Sequence, residues 1–449
     1  MALPEGVNRR YASIAGILLI IVWLWVAFDR PYSFPKHTAW SQYANVPVTS
    51  LDAAEGPTVV KDIFHDPEVD SDTIRNMCGG TQWNSSLVFK CENSAGTVGN
   101  VRNSILICVR RAIEVGANLI LPRILNPDGT HQQGTTVLYW YTHPFGFMFD
   151  EGHFVNSLQQ SCPDMKVYGS RKEVPFPDNY VHPPVISVES ENIGMREGES
   201  WRSAFERLVS EMIRPDEDTF PIIIEMARPE PSYEIYNDGP GFVRDFGNIL
   251  QFRPDVRDLA NKSLLKLSST YNLTLDLEDS TQLLPFFGAH LLTEEEKLGC
   301  TEGWPCIDRA FGLYSEESKG YLTQAQSSDH SVIYLSSHRD DEIAKFRKDA
   351  EEIGIKVHTK FDLLSRRDRV VLDKLTKDQQ QLVDFLILLK ASNFGGIGHS
   401  SFSWNVALKR HAMAEKTQFT IGSHIFEDSL SKLWGKMDKQ PTLYHNMWP

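Results

Sequence analysis

The stretch SSLVFKCENSAGTVGNVRNSILICVRRAIEVGANLILPRI, residues 85–124, decides how the chain is read. Its first part, "SSLVFKC" (85–91), is a short apolar run of strand length. A loop of small and polar residues, "ENSAGTVGNVRN", follows it. Ile105, Leu106, Val109, Ala112 and Ile113 then recur at helical spacing, and Gly116 stops the helix. "ANLILPRI" (117–124) is continuously apolar, as expected of a strand covered on both faces. Strand, helix and strand in this order make one β-α-β unit, the building block of a parallel sheet.

The alternation continues in both directions from that unit. Trp201, Ala204, Phe205, Leu208 and Met212 share one helical face and feed the strand "FPIIIEM" (220–226). "VPFPDNYVHPP" near 174–185 is a proline-rich loop, and a turn and helix over 237–272 close the first half. In the second half "LLPFFGAHLL" (283–292), "HSVIYLSS" (330–337) and "IKVHTK" (355–360) read as strands. Helices at 340–354 and 377–392 separate them. "NFGGIG" (393–398) is a strand or tight turn, and "SSFSWNVALKRHAMAEK" (400–416) a closing helix. The predicted fold is therefore α/β, with two doubly wound halves, 81–275 and 276–449, and a cleft between them.

Four places can carry chemistry. The glycines of "SAGTVGNVRNS" (94–104) let backbone approach a ligand at a helix N-terminus, with Arg102 adding a cation; a plain β-α turn is the alternative. In "GGIGHSSFSWN" (395–405), Ser400 and Ser401 either donate to phosphate oxygens or cap the helix. His290 ends the first strand of the second half, on the edge that lines the crevice of open α/β sheets. A satisfied structural histidine is the alternative there, and Glu294–Glu296 follow as solvated acids or a general base. Asp150, Glu151 and His153 in "MFDEGHFVNSL" (148–158) read as helix capping rather than as a metal site, because no third ligand is near.

The 449 residues carry a net charge of −14, which excludes a nucleic-acid surface. Residues 11–28 form an apolar run preceded by Arg9 and Arg10 and ended by Asp29-Arg30-Pro31. It is read as a signal anchor with a cytoplasmic tail (1–10), followed by a lumenal stem (29–80). Sequons at Asn84, Asn261 and Asn272 and an even set of six cysteines agree with a secretory lumen. Cys300 with Cys306, and Cys78 with Cys91, are the expected pairs, and Cys108 reads as a buried thiol. No zinc spacing occurs, so no metal is expected.

Taken in order, these segments resemble the GDP-fucose protein O-fucosyltransferase superfamily, in a divergent branch of fungal type. "GTVGNVRNSILICVRRAIEVGANLILPRI" is similar to its glycine-asparagine loop, helix and Leu-Pro strand. "MFDEGHFVNSL", "ILQFRPDVRDLA", "FFGAHLLTEEE" and "FGGIGHSSFSWNVALKRH" resemble its later motifs, across residues 85–415. The resemblance implies two facing Rossmann-like domains of GT-B type and metal-independent, inverting transfer from a GDP-sugar to a protein or glycan acceptor. It places the enzyme in the Golgi or endoplasmic reticulum as a single-pass type II membrane protein. It assigns Gly99, Asn100 and Asn103 to the first loop, His290 to catalysis, and Ser400, Ser401 and Phe402 to the nucleotide. The family's His-x-Arg arginine is Leu292 here, so Arg102, Arg253 and His399 are the candidate replacement cations. A catalytically silent protein of the same fold, binding a glycan or partner, is the second reading. A hydrolase is the third, and it lacks a G-x-S-x-G elbow.

Overall fold

The computed structural model describes residues 61–91, 96–127, 140–176, 184–188, 193–212, 221–226, 233–293, 313–398, 400–414, 427–434 and 446–449. The expected tail and anchor lie outside the described residues, as do stem residues 29–60, Cys300, Cys306, Glu294–Glu296 and His399. Among the described residues no helix is long and apolar enough to cross a membrane. From Lys61 onward the chain forms one compact unit.

In the first half the helices are α1 (Asp72–Gly79), α2 (Val98–Val115), α3 (Glu151–Ser161), α4 (Trp201–Met212), α5 (Pro240–Phe246) and α6 (Pro254–Tyr271). The strands are β1 (Leu87–Lys90), β2 (Asn118–Ile120), β5 (Val167–Tyr168), β6 (Val185–Val188) and β7 (Ile222–Met226), with a hairpin of β3 (Ile124–Pro127) and β4 (Trp140–His143). The sheet order is β5-β2-β1-β7-β6, every pairing parallel. The second half holds β8 (Leu284–His290), α7 (Tyr314–Ser327), β9 (Val332–Ser336), α8 (Asp340–Glu352), β10 (Lys356–His358), α9 (Lys377–Leu389), β11 (Ala391–Ile397), α10 (Ser401–Ala414) and β12 (Ser431–Trp434). Its order is β10-β9-β8-β11-β12, again all parallel.

The quoted β-α-β unit forms, but its second strand, read over 117–124, is only Asn118–Ile120, and Ile124 opens the antiparallel hairpin. Gly116 ends α2 at φ 69°, and a Cβ there would sit 2.1 Å from the Gln82 carbonyl oxygen. "NFGGIG" is a strand rather than a turn, because β11 lies inside the sheet, paired with β8 on one side and β12 on the other. The strands β5, β6 and β12 were not legible: each is four residues or fewer at a sheet edge or next to one. In both sheets the winding reverses direction, at β1/β7 and at β8/β11. Ligand crevices of such sheets open at the carboxyl ends of those strands.

Two expectations are corrected by packing. Residues 61–80, read as stem, belong to the folded body: Ile63, Phe64 and Ile74 are buried in the core. Cys78 pairs with Cys162, not Cys91, and Cys91 pairs with Cys108, so Cys108 is no free thiol. Cys91 follows β1 and Cys108 lies in α2, which packs against β1, so the two meet across one β-α step, while Cys78 in α1 meets Cys162 just after α3. The halves also share one apolar core, which runs from Ile105 and Ala112 of α2 through Leu264 of α6 and Leu388 of α9 to Val406 of α10.

Candidate active site

β8 delivers His290 to the carboxyl edge at the second switch point. Its Nδ1 lies 2.7 Å from Ser403 Oγ. That hydroxyl also accepts the Ile397 amide at 3.1 Å, so one side chain ties the ends of β8 and β11 to the first turn of α10. The imidazole packs on Phe402, ring centroids 4.5 Å apart, and Phe402 meets Phe385 edge-on. The His290 carbonyl accepts the Tyr321 hydroxyl at 2.8 Å. Burial beside Glu317 holds that phenol well above its usual pKa, so it stays a donor.

The first turn of α2 docks onto the first turn of α10. Gly99 makes this possible, because a Cβ there would lie 2.3 Å from the Ser401 carbonyl oxygen. Thr97 Oγ1 and Ser401 Oγ are 2.5 Å apart across the seam. Ser400 Oγ accepts the Ser403 amide at 3.3 Å, the capping role that was one of its two readings. Two helix N-termini, each the positive end of a helix dipole, thus meet at this seam, and α10 touches His290 through Ser403. At the rim Gly96 and Thr97 are exposed, while Asn100 and His290 are half-buried.

The replacement cations do not behave as expected. Arg102 is 1 % exposed and points away from the crevice. It donates to Asn405 Oδ1 at 2.6 Å and to the main-chain oxygens of Gly247, Trp448 and Pro449 at 2.8, 3.4 and 3.1 Å. Burial pulls its pKa down to about 10. It fastens α2, α10, the chain after α5 and residues 446–449 together, so its assignment as a catalytic cation is corrected. Asn103 serves the same joint, its Oδ1 receiving the Trp448 amide at 3.4 Å. Arg253 is bound by the Asp255 carboxylate at 2.6 and 2.8 Å and by the Phe147 carbonyl at 3.2 Å.

Leu292 is half-buried, and its amide donates to Glu317 Oε2 at 3.1 Å. Its neighbour Thr293 donates to the Glu342 carboxylate at 2.5 Å. Glu342 in turn lies 3.5 Å from Arg339, which also bonds Asp341 at 3.0 Å. Arg339 follows β9, whose Ser336 pairs with His290 in the parallel register. It therefore stands at the same edge, one strand over. Its guanidinium holds the Asp341 carboxyl below its usual range. Ser403, Thr97 and Arg339 were missed by motif reading; the signal for Arg339 was a cation directly after a strand, on the edge where ligands bind.

Asp150 caps α3 through the His153 amide at 3.2 Å and pairs with Arg257, as the capping reading required. Among the sequons, Asn84 and Asn272 are exposed. Asn261 is 3 % exposed within α6, and its Nδ2 donates to the Lys61 carbonyl at 2.8 Å. A glycan on that nitrogen has no room in this packing.

The model of the family described as GDP-fucose protein O-fucosyltransferase matches residues 87–413. No curated protein sequence matches the chain significantly. Among solved structures, POFUT1 in complex with GDP-fucose is 16% identical, over 79% of this chain and 99% of that one, with a TM-score of 0.47. POFUT1 in complex with GDP is 15% identical, over 80% and 100%, with a TM-score of 0.45. A mutant Arabidopsis thaliana FUT1 in complex with GDP is 10% identical, over 75% and 71%, with a TM-score of 0.36.

Proposed function

We propose, from the premise that this chain belongs to the GDP-fucose protein O-fucosyltransferase family, that it transfers a sugar from a GDP-sugar, GDP-fucose first, to a hydroxyl acceptor. The observation that carries the reading is the convergence of 97–103, 290 and 400–403, the segments with the family's motifs, at one switch point of a parallel sheet. The acceptor hydroxyl oxygen attacks the anomeric carbon from the face opposite the leaving GDP, its proton passes to His290, the base we assign at this edge, and the bond to the phosphate oxygen breaks. GDP leaves with the electron pair, and the anomeric centre inverts. Negative charge grows on the leaving phosphate, and stabilising it is the largest single demand of such a step. Leu292 cannot meet it. Arg339 is the cation we assign to that task, supported by its tie to the end of β8 through Glu342 and Thr293. The donor's phosphates meet the rim of the two helix N-termini, at Gly96, Thr97, Asn100 and His290.

We further propose that this happens without a metal, in the lumen of the Golgi or endoplasmic reticulum, with residues 11–28 as a type II anchor. Two disulfides support an oxidising compartment. The second reading, a silent protein of this fold, is favoured by Leu292 and by the engagement of the Ser401 hydroxyl with Thr97. Calorimetric titration of the full-length chain with GDP, GDP-fucose, UDP and ADP, without metal, tests the donor. Selective binding of GDP and GDP-fucose is expected, followed by sugar turnover. Failure to bind any nucleotide overturns the transferase reading, and binding without turnover on any acceptor selects the silent one.

A further inference from the structure

A cavity of about 700 Å³ opens at the opposite edge of the second sheet. Ser280 and Thr281, just ahead of β8, line it, as does Lys390, just ahead of β11. β8 is seven residues long, so the cavity and His290 stand about 20 Å apart along the strand. Its walls are apolar, with Phe252, Phe385, Leu386, Leu389 and Met413 among them. A size of several hundred Å³, apolar walls and a few polar groups are the ordinary features of a small-molecule site.

The polar groups inside are under-used. Lys409 Nζ has three donors, and its hydrogen-bond partner among the described residues is Asn248 Oδ1 at 2.7 Å. Lys390 is 3 % exposed; its Nζ donates to the Ser280 carbonyl and lies 5.6 Å from the Phe64 ring centroid. Among the described residues neither ammonium has a carboxylate within ion-pair distance. Gln251 is 6 % exposed; its Nε2 donates to the Asp66 carbonyl, while its buried Oε1 accepts no hydrogen bond among the described residues. A buried and a half-buried ammonium, neither with a carboxylate partner among the described residues, are costly in an apolar chamber unless something completes them.

We propose that this cavity binds an organic carboxylate with an apolar body. The body lies against Phe252, Phe385 and Leu386, and the carboxylate sits on the Lys409 ammonium with Lys390 beside it. The facing charges favour a monoanion over a phosphate. Arg102 at the floor is held by main-chain oxygens, Asp245 is paired with Arg244 and Asp70 with Arg75, and Asp66, Glu68 and, beside Lys390, Asp279 are exposed at the rim. A dianion would meet those rim carboxylates, and a single carboxylate is matched by the two lysines. Burial, with the charge of Arg102, pulls Lys409 down to about 7, and burial pulls Lys390 down to about 8. An arriving carboxylate restores their charge, so binding takes up protons near pH 7–8 and weakens as pH rises through that range.

The site does not depend on the donor reading, and its test is separate. The full-length chain is titrated with 3-hydroxydecanoate at pH 6.5 and 8.5, and with 1,3-decanediol, which has the same body and no anion. The acid is expected to bind at least tenfold more tightly than the diol, and several-fold more tightly at pH 6.5 than at 8.5. K409M is expected to lose at least tenfold. Met413→Trp, which narrows the cavity and leaves both lysines, is expected to abolish binding and decides the matter if K409M does not fold. Equal binding of acid and diol, no binding of the acid, an unaffected folded K409M, or undiminished binding by Met413→Trp each overturns the proposal.

Discussion

At the carboxyl edge of the second sheet the hydroxyls of Ser400, Ser401 and Ser403 each have a protein partner. At the amino edge two lysine ammoniums line a cavity without a carboxylate partner among the described residues. The first edge is a seam, where polar groups satisfy one another and lock the halves. The second is a chamber, where polar groups are left for a guest. The difference teaches that motif residues need not be the ones that touch a ligand. Gly99, Asn103 and Arg102, all in one motif, are spent on the joint, and the rim and its neighbouring strand are left for chemistry.

The comparison can be broken most forcefully at Arg102. Replacing it with alanine strands main-chain acceptors from several segments around an emptied site, a loss of about 3–5 kcal/mol by analogy with breaking buried charge networks. Denaturant unfolding measures it, and a loss below about 1 kcal/mol would end the view of Arg102 as a fastener. At the rim, R339A is expected to lower kcat on the order of 10²–10³-fold with the melting temperature nearly unchanged, and Arg339→Lys to recover part of it. Unchanged turnover in R339A would return the search for the leaving-group cation to residues outside the described ones.

Gly99→Ala tests the seam itself. Its Cβ would clash with the Ser401 carbonyl oxygen, so α2 and α10 must part, at a cost of about 1–3 kcal/mol. Nucleotide affinity, measured on the folded variant, is expected to fall with stability. Retained affinity would separate the seam from the donor site.

A further effect, spread over several pH units, concerns the chamber without its ligand. Lys409 has a folded pKa of about 7 against an ordinary 10.5. The unfolded chain therefore binds the proton first as pH falls, and stability from the neutral amine is lost between pH 10.5 and 7. The slope is at most about 1.4 kcal/mol per pH unit. Melting curves across pH 7–10 are expected to show stability rising with pH, and K409M to flatten that rise. An unchanged slope in K409M would mean the amine is well solvated.

Local pattern carried much of this into view. The period of Ile105, Val109 and Ala112 marked α2, and the unbroken apolar run of β8 marked a strand covered on both faces. Their order required parallel sheets, and the switch point then placed His290 at a crevice edge. Asp150 was legible as a cap because capping is settled within one helical turn.

What the amino-acid order determined by itself was therefore whatever depends on neighbours along the chain: helix and strand periods, turn glycines, caps, and the winding that follows from them. What the tertiary structure alone decided depends on residues far apart in sequence meeting in space. It turned Arg102 inward onto Gly247 and Pro449, paired Cys78 with Cys162, enclosed Asn261 under Lys61, and brought Lys390 and Lys409 to one chamber. Burial and charge pairing are properties of that packing, and no local pattern encodes which distant atom will lie across from a given side chain.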